Sequence, residues 1–340
     1  MSYSKYLFLA ILTSSALVAD QDGSIASVIE AVRSSLREKQ SDQRIATLVK
    51  NIVLKQQLEE RVLEQLESEG TGPKTTDALD DQKERSRELP KPTGDLKLFA
   101  APMPPSKQQQ SSLIEAAREK AVLYSAQLPN FIATENIRRL VKPNNAEEWK
   151  QRDSLSVSVA YSVKGEQYKL LSIDGKSTTK QLKSVGGFKS SGEFGSLLRR
   201  IFNKEAEARF EWQHWTNLHG KPVQVFSYLI DKAHSKYTIN YGMFLKRYKE
   251  TFGMKGLIYI DPKSHDVVRF TVSAMDIPAK WPFVRTLFIL DYDYGDVGGQ
   301  RFLLPKRVDA RIIGKELQRR NFLEFRDFRK FSSEATVSFE

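Results

Sequence analysis

Two hydrophobic periods divide the chain. From Ser24 to Gly70 apolar residues recur at every third or fourth position: Ile25, Val28, Ile29, Val32 and Leu36, then Ile45, Leu48, Val49 and Ile52. Leu58, Val62 and Leu66 continue the stripe on a drifting face, and Gln, Glu, Lys and Arg fill the remaining positions. This spacing predicts helices. A stripe so narrow suits a helical hairpin or a short coiled-coil pairing, and equally a solvated helix packed loosely on its own domain. From Phe131 the period shortens to two. Leu155, Val157, Val159 and Tyr161 alternate with small polar residues, the mark of a half-buried strand. Further strands are predicted over 208–217, 223–231, 236–241, 256–261, 267–274, 285–294, 304–313 and 321–330. Asp174-Gly175, His219-Gly220, Asp261-Pro262, Gly298-Gly299 and Gly314-Lys315 supply the turns. Short strands at hairpin spacing, without alternating helices, predict an antiparallel sheet.

Two stretches interrupt this order. Residues 71–110 are rich in Pro, Lys, Asp and Gln and poor in apolar side chains, which predicts a disordered linker. Ser184–Lys204 opens with a glycine-rich loop and ends in a helical turn carrying Leu197, Leu198, Ile201 and Phe202. A capping box at Ser112 and Glu115 predicts one opening helix, with Ile114, Ala117, Ala121, Tyr124 and Leu128 on its buried side. The expected organisation is therefore a helical segment over 20–70, the linker over 71–110 and a sheet domain over 111–340.

The first residues read as an address. Lys5 precedes the apolar run Tyr6–Val18, and small residues follow at Ser14, Ala16 and Ala19. This predicts a cleaved signal peptide over 1–19 and a periplasmic or secreted mature chain, with an N-terminal anchor as the alternative. The 340 residues contain no cysteine, which excludes disulfides, thiolate metal sites, Cys nucleophiles and a lipid-bearing lipobox cysteine.

Charge is uneven. Residues 20–110 carry 14 basic and 16 acidic side chains, whereas residues 111–340 carry 38 basic and 26 acidic ones. A basic sheet domain favours anionic partners, here an anionic envelope surface, and equally suits a basic soluble protein with no particular patch. Nucleic acid is not expected, since export and the lack of a binding motif both speak against it.

Candidate chemistry is sparse. His214, His219, His234 and His265 lack metal-ligand spacing, and the glycines at 186, 187, 192 and 195 match no phosphate-loop pattern. Asp291 and Asp293, two apart on a strand, share a face and could hold a cation or act as an acid–base pair, or simply line a solvent face. No catalytic residue, metal or cofactor is assigned, and the chain is not expected to be an enzyme.

Three stretches of the sheet domain carry a resemblance. Gly256-Leu-Ile-Tyr-Ile-Asp-Pro-Lys-Ser-His-Asp-Val-Val-Arg269, Asp291-Tyr-Asp-Tyr-Gly-Asp-Val-Gly-Gly299 with Phe302-Leu-Leu-Pro305, and Glu324-Phe-Arg-Asp-Phe-Arg-Lys-Phe331 resemble the LolA/LppX/RseB-like family of bacterial periplasmic carriers and sensors. The resemblance covers most of 111–340 and none of 20–110. It implies an α+β fold, a strongly curved antiparallel half-barrel covered by helices. The insertion at Ser184–Lys204 departs from the compact carriers.

A curved sheet must cover its apolar concave face, and a cover that leaves space leaves a greasy cavity. Residues at period two give the candidate ligand-binding face: Phe210, Trp212, Phe226, Tyr228, Phe270, Val272, Phe288, Leu290 and Tyr292. The same positions suit an ordinary core. The leading expectation is an exported binding protein for a lipid, a lipoprotein acyl chain or another amphiphile. Two alternatives stand beside it: an envelope interaction or sensor protein that engages a protein partner through residues 24–70, and a metal-dependent hydrolase built on Asp291 and Asp293.

Overall fold

The structure, a computed structural model, describes residues 23–94, 96–98, 101–146, 148–162, 165–188, 193–218, 220–243 and 246–331. The expected signal peptide, residues 1–19, lies outside the described residues. These residues divide into two compact units, the first within Met1–Ala100 and including the stretch Asn217–Gly220, the second within Ala101–Thr216 and Lys221–Glu340.

The first unit holds four helices: α1 (Ile25–Arg37), α2 (Asp42–Asn51), α3 (Glu60–Ser68) and α4 (Pro73–Arg85). Their periodic residues meet in one core, where Ile25, Val32, Val49, Leu58, Val62 and Leu66 are sealed from solvent. Ser24 and Ser41 cap α1 and α2 by accepting from the backbone N–H three residues on. The stripe therefore forms neither a two-helix hairpin nor a coiled coil, because it is divided among the three short helices α1 to α3, which close one core together with α4.

The predicted linker also needs correction. Residues 73–85 form α4, which buries Ala78 and Leu79, and Leu96 and Leu98 pack on the same core. The cause is polar, so hydropathy does not reveal it. Pro73 starts the helix, and the Asp42 carboxylate accepts from the backbone N–H of Lys74 and of Thr75, at 2.9 Å each. At the other end the Gln82 amide donates to the carbonyls of Val49 and Ile52, at 2.7 Å each. The remaining linker residues are cut again at 107, where α5 (Lys107–Gln127) begins with a capping box made by Ser106 and Gln109 rather than Ser112 and Glu115.

The second unit continues with β1 (Phe131–Pro143), β2 (Lys150–Ser162), β3 (Gly165–Ile173), β4 (Lys176–Ser177), α6 (Ser196–Phe202), β5 (Arg209–Leu218) and β6 (Lys221–Ile230). Then follow β7 (Tyr237–Met243), β8 (Lys246–Phe252), β9 (Met254–Ile260), β10 (Val267–Ala274), β11 (Phe283–Val297), β12 (Gln300–Gly314) and β13 (Leu317–Lys330). Eleven strands make one unclosed sheet in the order β4-β3-β2-β1-β13-β12-β11-β10-β9-β6-β5. Its neighbours pair antiparallel, giving the expected α+β curved-sheet class. Asp174 and Gly175 both take positive φ, 49° and 75°, in the two-residue turn from β3 to β4.

The strand β8 escaped the sequence reading. Its segment Lys-Arg-Tyr-Lys-Glu-Thr-Phe is too charged to alternate visibly, yet β7 and β8 pair as a separate two-stranded sheet. That hairpin packs through Tyr241 and Phe252 on Trp281 and Phe283, a small core of its own.

One side of the large sheet is apolar along its length. It is covered by α5, through Leu113, Ile114, Ala117, Ala121 and Tyr124, and by α6, through Leu197, Leu198, Ile201 and Phe202. The two helices approach closely at Gly195. Its φ of 106° suits glycine, and a Cβ there would fall 2.6 Å from the Tyr124 ring. The opposite side is tied by ion pairs. Asp309 accepts from Arg320 at 2.9 and 2.7 Å and from Arg311 at 3.0 and 2.5 Å, and Asp291 is bonded to Arg269.

Candidate functional site

The nine residues read from the sequence all belong to the covered side. Phe226 and Tyr228 on β6, Phe270 and Val272 on β10, and Phe288, Leu290 and Tyr292 on β11 are buried in the main core, and Phe210 and Trp212 on β5 pack against it half-buried. The β10–β11 register sets Phe270 opposite Leu290 and Val272 opposite Phe288. Helix side chains fill the face they form. Tyr124 of α5 meets Tyr292 edge-on with ring centroids 5.4 Å apart, and Phe202 of α6 stacks on Phe210 at 5.4 Å. Here these residues act as core contacts, and an acyl chain among them would have to displace α6. Three polar atoms are stranded on β5 and β6: Trp212 Nε1, Asn217 Oδ1 and Gln224 Oε1 are buried without a hydrogen-bond partner.

Among the described residues space remains at several places, and one of them is a seam beside α5 that opens onto the main core. Between α5 and the ends of β10, β11 and β12 lies a half-open cavity of about 190 Å³. Its wall is Ala121, Tyr124, Leu128, Leu198, Val267 and Leu303, all members of the main core. Its rim is polar: Lys120, Gln127, Asp266, Tyr294 and Arg301. The Tyr124 hydroxyl donates to the Leu303 carbonyl at 2.8 Å and pins α5 to β12 beside the opening.

The rim is organised by the turn between β9 and β10. Asp261 Oδ1 accepts from the Lys263 N–H at 2.8 Å, and Asp261 and Asp266 are joined through the backbone at 3.0 Å. This Asp-Pro-x-Ser turn delivers Asp266 to α5. There one carboxylate oxygen accepts from Lys120 Nζ at 2.9 Å and the other from the Tyr294 hydroxyl. Burial alone would raise the Asp266 carboxyl, but the bonds from Tyr294, Lys120 and Ser264 outweigh it and hold the group below its usual value. Burial and the Asp266 charge push Tyr294 up to about 12. Arg301 lies over the Tyr294 ring, 4.9 Å from its centroid.

None of these rim residues was legible as a site. Lys120, Asp266, Tyr294 and Arg301 come from a helix, a turn and two strand ends far apart in sequence. The one signal was the Asp-Pro-Lys-Ser-His-Asp turn, read as a fold motif.

The Asp291/Asp293 pair separates. The Asp291 carboxylate is spent on Arg269, while Asp293 Oδ1 accepts from the Tyr294 N–H at 2.8 Å. Among the described residues no group of three ligating side chains is placed to hold a metal ion. A different acidic set sits under the apolar cover: Glu135 on β1 is raised to about 8 by burial and by the charges of Glu193 and Glu166.

No protein-family model and no curated protein matches the chain. Among solved structures it is similar to a LolA superfamily protein from Nitrosomonas europaea, at 10% identity and a TM-score of 0.31 over 65% of this chain and 93% of that one. It is also similar to an outer membrane lipoprotein-sorting protein domain from Vibrio parahaemolyticus (12%, 0.31, 66% and 94%) and to a DUF1329 family protein from Desulfovibrio piger (7%, 0.32, 65% and 94%). The likeness is one of fold. At such identities and TM-scores neither family nor function transfers along the likeness. No described helix is long and apolar enough to cross a membrane.

Proposed function

We propose that the chain is an exported, non-enzymatic binding protein that takes the acyl end of a lipid, lipoprotein or other amphiphile at the seam between α5 and the sheet. One observation supports this reading most: the seam opens from a polar rim directly onto residues of the main core. A pocket of this kind, apolar within and with few polar groups at its edge, is the usual form of a site for an amphiphile. Its volume is below the roughly 300 Å³ at which small-molecule sites begin, so a long chain requires α6 to yield. With seven residues, α6 is the smaller part of the cover. The purified protein should carry extractable acyl species by lipid mass spectrometry, and Leu198→Trp, which fills the seam, should reduce them and weaken displacement of a fluorescent fatty acid. A lipid-free protein whose fatty-acid binding is unaffected by Leu198→Trp would contradict the reading.

A second reading attaches to the first unit. Its four helices close a core of their own, which favours a separately folded module that engages a protein partner. Pull-downs with and without that unit would test it, and identical partners would exclude it.

A further inference from the structure

The rim of the seam is selective in its hydrogen-bonding capacity. A carboxylate offers acceptors only, and both oxygens of Asp266 are already taken, one by Lys120 and one by Tyr294. Two of its roughly four lone-pair sites are thus engaged, and the Lys120 ammonium offsets its charge toward a cationic head. The donors are in surplus. The Lys120 ammonium carries three N–H groups and gives one of them to Asp266. Arg301 has its guanidinium carbon 4.9 Å from the Tyr294 ring centroid and forms no ion pair among the described residues, so its N–H groups stay available. The Gln127 amide lies on the same rim. The formal charge of the rim is two cations against one anion, in a unit that is itself strongly basic.

We infer that the seam selects amphiphiles with an anionic head, a carboxylate or phosphate received by Arg301 and Lys120 while the chain enters between Tyr124, Leu128, Leu198 and Leu303. This rests on the binding function proposed above and adds the class of ligand. Arg301 is suited to the task because its planar fork can meet two oxygens at once, and its contact with the Tyr294 ring keeps it beside the rim. Lys120 is a weaker contributor, since it is shared with Asp266.

The test uses the full chain and four probes: laurate, dodecyl phosphate, 1-dodecanol of the same chain length, and inorganic phosphate. Each competes against a fluorescent fatty acid. Laurate and dodecyl phosphate should bind about tenfold or more tightly than dodecanol, the size of one charge-assisted hydrogen bond. Arg301→Ala should remove most of that preference while leaving dodecanol affinity nearly unchanged, and Arg301→Lys should restore part of it. Inorganic phosphate should fail to compete, because the head without the chain gains nothing from the apolar wall. Dodecanol binding as tightly as laurate, equal weakening of all ligands by Arg301→Ala, or competition by inorganic phosphate would each overturn the inference. The first two would leave the binding function standing. Absence of binding by every alkyl probe would remove the binding function itself.

Discussion

The two units cover apolar surface with helices in different ways. In the helical unit polar side chains close the ends: Asp42 satisfies the start of α4 and Gln82 the end of α2. Partial burial alone would raise the Asp42 carboxyl, but the bonds from Thr75 and Lys74 hold it below its usual value. In the sheet unit the cover is incomplete. It leaves a seam beside Tyr124, strands Trp212 Nε1 and Gln224 Oε1 in the interior, and buries Glu135 near two other carboxylates. Buried polar groups without partners cost stability, and where they persist they mark surfaces shaped by something besides stability. The contrast separates a core whose helix ends are closed by polar side chains from one with a half-open seam beside α5.

The largest effect is expected at the smaller covering helix. Ile201 is fully buried, and Ile201→Ala should destabilise the sheet unit by about 3–4 kcal/mol in denaturant unfolding. A loss below about 1 kcal/mol would show that α6 is not part of the cover.

Glu135 tests the same core by pH. Its folded pKa of about 8 lies above the unfolded value, so between roughly pH 4.5 and 8 the folded state keeps a proton that the unfolded chain has released. Stability should therefore fall as pH rises through this window. Glu135→Gln, with no charge to bury, should flatten the fall and gain on the order of 2 kcal/mol at pH 8. An unchanged pH profile would show that Glu135 is already ionised in the folded protein.

In the helical unit Asp42→Ala should cost about 1–2 kcal/mol, the usual worth of a helix cap, with its effect confined to that unit in hydrogen exchange. The smallest change runs the other way. Gln224→Leu replaces a buried acceptor that lacks a partner and should raise stability by about 1 kcal/mol. Destabilisation would mean that the amide is satisfied in solution.

The sheet was legible because its strands alternate strongly and its turns carry Asp-Gly, Asp-Pro or Gly-Gly. Where alternation is masked by charge, as in Lys246–Phe252, the strand was missed. Helix α4 was missed for a related reason, since it is held by Asp42, Thr75 and Gln82 rather than by an apolar stripe. Period-two reading found the covered face through Phe226, Phe270, Leu290 and Tyr292, but periodicity reports which side is apolar and not whether it is full. The seam depends on how α5 and α6 sit on that side, a three-dimensional property with no local signature at Lys120 or Arg301.

The most direct test of the seam as a binding site is photoaffinity labelling of the full chain with a diazirine-bearing fatty acid, followed by peptide mapping. Saturable adducts on residues 120–128, on Leu198 and around 301–303, competed away by unlabelled laurate, are the predicted result. Labelling that does not saturate, or that falls on the ion-paired side of the sheet around Asp291 and Asp309, would contradict it.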